Sequence, residues 1–156
     1  MQQQLPSRWR KLIYETMWTA LFLTHSDDHA ALLFASDRRF RLWRYGAGHS
    51  QMLLRSLPSA GQRCLDITFE RVTWLSLPTS FDSVQIALAA DEDAALPAGV
   101  AQLADEWSPF RLVISSQGVS GWVICARAEA AFTSWNPSNA DADGSVEEIL
   151  WSLSKS

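Results

Sequence analysis

Phe40-Arg41-Leu42-Trp43-Arg44-Tyr45, then Gln51-Met52-Leu53-Leu54-Arg55, Leu65-Asp66-Ile67-Thr68-Phe69-Glu70 and Val84-Gln85-Ile86-Ala87-Leu88 repeat with a period of two. Side chains of a strand point alternately to opposite faces, so this period marks strands with one dry and one wetter side. Gly46-Ala47-Gly48, Pro58-Ser59-Ala60-Gly61 and Pro78-Thr79-Ser80 place turn-forming residues between the runs. The block therefore predicts an antiparallel sheet, with Leu65, Ile67, Phe69, Val84, Ile86 and Leu88 as core residues.

Outside this block the signals are mixed. Phe110–Ser115 and Gly121–Ala126 read as a hairpin joined at Gln117-Gly118-Val119-Ser120, and Ala30–Ala35 reads as a further strand. Ser7 can cap a first helix carrying Trp9, Leu12, Ile13, Met17 and Ala20 near one face, although Met17–Thr24 has an alternative reading as a strand. Leu96, Val100, Leu103 and Trp107 have helical spacing after Pro97, and the composition of Ala128–Trp135 favours helix. Ser145 and Glu148 have the spacing of a capping box, which predicts a last helix with Val146, Ile149, Leu150 and Leu153 on its apolar face. The expected fold is α+β: one domain over residues 1–156, about seven antiparallel strands curled or folded into a sandwich, and N- and C-terminal helices packed on them.

Size and composition support a self-sufficient core. A chain of 156 residues with 47% hydrophobic and 19% charged residues buries about 70% of its unfolded surface. No apolar run reaches the length of a membrane-spanning helix. The basic N-terminal segment (Arg8, Arg10, Lys11) precedes an apolar stretch as a secretion signal would. Glu15 interrupts that stretch, however, and no small-residue cleavage pattern follows Leu23. The expected location is the cytoplasm, with Cys64 and Cys125 reduced.

Charge is unevenly spread. Residues 1–78 hold ten Lys/Arg and six Asp/Glu, whereas residues 79–156 hold three and eleven. The expectation is that acidic loops of the second half fold over the arginines of the first. The net charge of −4 and the presence of only two lysines disfavour binding to nucleic acid.

Motifs for chemistry are fragmentary. Gly48-His49-Ser50-Gln51 begins like a nucleophile elbow, but Met52 stands where that tight turn needs a small residue, and every histidine precedes the serine. His25-Ser26-Asp27-Asp28-His29 reads as a solvated turn rather than a zinc site. Asn139-Ala140-Asp141-Ala142-Asp143-Gly144-Ser145-Val146-Glu147 resembles the first nine positions of an EF-hand or dockerin calcium loop. Leu150 stands where the bidentate carboxylate belongs, so no metal is expected. Asp66 and Glu70 share one strand parity, and Arg55 or Arg63 on a neighbouring strand would neutralise them.

The strongest candidate surface is the arginine–aromatic strand. If alternation holds, Arg39, Arg41, Trp43 and Tyr45 share one face, and such anchors concentrate binding energy at protein interfaces. The stretch from Phe40 to Leu88, with GHSQMLLRS followed by DITFERVTWLSLP, resembles small bacterial α+β proteins of no assigned function. That resemblance implies a fold and no chemistry. The expected function is a non-catalytic protein-interaction module, a regulator or immunity-type protein, whose partner is another protein or a second copy. No catalytic residue and no cofactor are expected. The alternative is a small-ligand or catalytic cleft lined by His49, Arg55 and Trp74. The binding candidates are thus Arg39, Arg41, Trp43, Tyr45, His49 and Arg55.

Overall fold

A computed structural model describes residues 31–46, 48–58, 61–89, 99, 103–104, 106–139 and 144–155. The described residues form two antiparallel sheets and contain no α-helix, which corrects the expected α+β class to an all-β one. The first sheet has the order β1 (Ala31–Ser36), β7 (Val84–Leu88), β8 (Phe110–Ser116), β9 (Val119–Cys125), β5 (Trp74–Ser76). The second has the order β11 (Val146–Ser154), β10 (Arg127–Thr133), β4 (Cys64–Glu70), β3 (Gln51–Ser56), β2 (Phe40–Gly46), β6 (Ser80–Phe81). The described residues form eleven strands, against about seven expected.

The sheets share one core. Phe40, Met52, Leu54, Leu65, Ile67 and Phe69 of the six-stranded sheet meet Val84, Ile86, Leu112, Ile114 and Val123 of the five-stranded sheet. The alternation of the opening block thus identifies inner-facing residues, with one exception. Leu88 lies at the end of β7 opposite Ala31, where the sheet stops, and is 37% exposed. The β8–β9 connection is a two-residue turn with Gln117 at φ 40° and Gly118 at φ 83°. Positive φ at both positions gives the twist that two-residue hairpins prefer.

A pair of chain segments crosses between the sheets together. β4 leaves the six-stranded sheet at Glu70 and continues as β5 in the other, while β9 leaves the five-stranded sheet at Cys125 and continues as β10. At this corner Ala126 donates its N–H to Glu70 O, Thr73 donates to Ile124 O, and Arg71 turns at φ 52° with its carbonyl accepting from Ser108 Oγ.

Two expected helices are strands. Ala128–Trp135 has a helix-forming composition, yet β10 lies between β4 and β11, with Ala128 and Ala130 buried beside Phe69 and Ile67. Small residues between large ones suit a crowded inner face, and packing overrides propensity. The C-terminal run is β11. Its register against β10 shifts between Ala130 and Ala131 and again between Phe132 and Thr133. Each bulge adds a residue and displaces the alternation by one, so a bulged strand loses its period of two. Ser145 does not cap a helix; its N–H binds Ser134 Oγ and its carbonyl accepts from Ser134 N–H. Glu148 accepts from Arg63 at 2.7 Å. The predicted N-terminal helix, His25–His29 and most of the segment from Leu96 to Trp107 lie outside the described residues, as do Asp141 and Asp143. No described helix is long and apolar enough to cross a membrane.

Candidate functional site

The outer face of the six-stranded sheet carries a buried ion pair. Cross-strand register aligns Arg41, Arg55, Asp66 and Ala131 in one row. Arg55 is 1% exposed and Asp66 6%, so both charges have left water. That is tolerable only with close pairing and satisfied hydrogen bonds. Arg55 supplies the close pairing: Nε donates to Asp66 Oδ1 at 2.8 Å and Nη2 to Oδ2 at 2.6 Å. Thr133 Oγ1 donates to Oδ2 at 3.1 Å, and Cys64 Sγ donates to Oδ1 at 3.3 Å. Burial, reinforced by the negative charge of Asp66, pushes the Cys64 thiol up to about 12. It is a protonated donor here rather than a nucleophile.

Aromatic rings cover the guanidinium. The centroid of Trp135 lies 4.4 Å from Arg55 Cζ and that of Trp43 lies 5.4 Å away. The two indoles meet edge to face at 5.1 Å. Trp135 is buried, whereas Trp43 is 38% exposed. Gly144 helps hold this arrangement. A Cβ at that position would collide with the Trp135 backbone, its nearest carbon being Trp135 Cα at 2.6 Å. Gly144 is absent from the residues with positive φ, so it answers to this close approach and not to the left-handed turn that a calcium loop would require.

The sequence candidates divide between this site and elsewhere. Arg41, Trp43 and Arg55 come together on the outer face. Tyr45 does not share it, because the β2–β3 register shifts between Leu42 and Arg44 and sets Tyr45 opposite the core residue Met52. Arg39 precedes β2 and pairs with Asp82 at 2.8 Å, both side chains being largely exposed. His49 is exposed on the β2–β3 turn, at the far end of β3 from Arg55. Trp74 belongs to the other sheet. The cleft of His49, Arg55 and Trp74 therefore does not form. Asp66 was legible through its parity with Glu70. Thr133 and Trp135, far along the chain in a segment that favours helix by composition, gave no signal.

Two arginines of the first half meet acidic residues of the second, Arg39 with Asp82, and Arg63 with Glu148 at 2.7 Å and Glu147 at 4.0 Å, but Glu147 and Glu148 lie on strand β11 rather than in a loop. Open grooves flank the outer face. One, of about 540 Å³, is lined by Arg39, Arg41, Leu42, Thr79, Ser80 and Asp82. Another, of about 390 Å³, includes Arg63, Cys64, Thr133 and Trp135 in its wall. No protein-family model, curated protein or solved structure matches the chain.

Proposed function

We propose that the chain is a non-catalytic protein-interaction module, presenting the outer face around Trp43 and Arg41 to a protein partner. The observation that carries this reading is the exposed Trp43 indole held against Trp135, which itself covers the buried Arg55–Asp66 pair. An anchor already fixed by its neighbours loses little side-chain freedom on binding. Tryptophan and arginine are also the residue types in which interface energy concentrates. The rival small-ligand cleft lacks geometric support, because its three lining candidates stand on different parts of the fold.

The test begins with capture of a partner from a lysate of the native host, followed by titration of that purified partner. Replacing Arg41 and Trp43 together by Ala is expected to cost about 2 kcal/mol or more of binding, a rise of roughly 30-fold in Kd, with the urea midpoint largely retained. A double variant that folds normally and binds with wild-type affinity overturns the reading.

A further inference from the structure

We infer that the segment docking on this face is acidic, and that it places an Asp or Glu carboxylate on Arg41 in the groove with Thr79 and Ser80. The inference rests on the interaction reading above and names the chemistry of the partner. Arg39, Arg55, Arg63 and Arg127 each pair with a carboxylate of this chain. Arg41 differs: among the described residues no carboxylate, hydrogen bond or ring engages its side chain.

Arg41 is exposed, so water solvates its charge in the unbound protein and the guanidinium is open to an incoming group. Arg41 stands directly across from Arg55, whose own charge is already met by Asp66. Asp66 cannot serve both. Its Oδ1 already accepts from Arg55 Nε and Cys64 Sγ, and its Oδ2 from Arg55 Nη2 and Thr133 Oγ1. The single Cys64 S–H also has Ser56 O within 3.4 Å, and with the bonds from Arg55 and Thr133 it takes up most of the roughly four acceptor positions of a carboxylate. A carboxylate brought to Arg41 would therefore meet a guanidinium that Asp66 does not occupy.

The groove is suited to a carboxylate. Arg39 and Arg41 against Asp82 leave it one net positive charge, with Thr79 and Ser80 adding hydroxyl donors. A single carboxylate matches that charge and can accept both arms of a guanidinium. The Arg39–Asp82 pair is solvent-exposed, so it offers little resistance to rearrangement. A nucleic acid would instead need several cations along its track, and this chain carries a net charge of −4.

The experiment uses fluorescein-labelled Glu-Glu-Leu-Glu-Glu, with Lys-Lys-Leu-Lys-Lys and ten-residue oligo-dT as counter-probes, on the full chain. The acidic peptide is expected to bind saturably in fluorescence anisotropy, and Arg41→Glu to weaken it at least tenfold. Arg127→Glu, the same charge change three strands away on β10, is expected to alter binding less than twofold. Absence of saturable binding to the acidic peptide, equal effects of the two reversals, or Arg41-dependent binding of oligo-dT or the lysine peptide in its place overturns the inference. Titration of the captured partner separates the two levels. Loss with Trp43→Ala but not with Arg41→Glu rejects the acidic partner and leaves the interaction face standing; loss with neither rejects both.

Discussion

Replacing Asp66 by Ala isolates what the buried pair contributes. The substitution removes the acceptor of two Arg55 hydrogen bonds, at 2.8 and 2.6 Å, and of the Thr133 and Cys64 bonds. It leaves the Arg55 guanidinium with 1% of its residue surface in water. Removing one partner of such a pair costs about 3–5 kcal/mol, because the remaining charge is neither solvated nor paired. A domain of this size is stable by only about 5–15 kcal/mol, so the variant is expected to lose at least about a fifth of its stability. The internal comparison is Asp82→Ala, which breaks the exposed pair with Arg39 and is expected to cost about 0–1 kcal/mol. Urea melts followed by tryptophan fluorescence would measure both, and near-UV circular dichroism would report loosening of Trp43 and Trp135. Replacing both partners, as Arg55→Met with Asp66→Leu, should cost less than Asp66→Ala alone, since no orphaned charge remains. Equal, small losses for Asp66→Ala and Asp82→Ala would refute the reasoning.

Other perturbations read different parts of the structure. Ile86→Ala or Ile67→Ala should cost about 2–5 kcal/mol in urea melts, against roughly 0.5 for Gln85→Ala, the inner–outer contrast set by strand register. Gly144→Ala should destabilise by about 1–3 kcal/mol through overpacking against the Trp135 backbone and should change the near-UV spectrum, whereas calcium addition should not restore it. Cys64 and Cys125, both raised to about 12 by burial, should be unreactive toward a thiol reagent at pH 8 until the chain is unfolded. Both thiols ionise later in the folded than in the unfolded chain. Their contribution to stability is therefore complete below the ordinary thiol value of 9.0 and lost as pH rises from there toward about 12, which pH-dependent urea midpoints would reveal.

The strands that could be read directly are those with one dry side. β3, β4 and β7 keep their alternation because each contributes alternate residues to the shared core. β10 and β11 escaped for separate physical reasons. The alanines of β10 carry a helical preference in isolation and a packing role only beside Phe69 and Ile67. β11 has its period interrupted by two bulges set by its partner strand. The site shows the same division. Parity indicated that Arg55 could neutralise Asp66, since that needs only two neighbouring strands. A bulge at Trp43 moved Tyr45 off the face. The lid of Trp135 and the bond from Thr133 depend on contacts across 67 positions or more, which no local pattern encodes.

The outermost strands have a consequence for how anything can be recognised. β5 has three residues and β6 two, β1 is irregular between Leu32 and Phe34, and β11 carries its two bulges. Short or buckled margins offer no long straight row of amide and carbonyl groups for an incoming strand to match. Recognition by extending a sheet with the partner's main chain, which tolerates many sequences, is thereby discouraged, as is stacking of copies into fibrils. Under the proposed interaction reading, selectivity would rest instead on side chains standing on a face, such as the Trp43 indole and the Arg41 guanidinium.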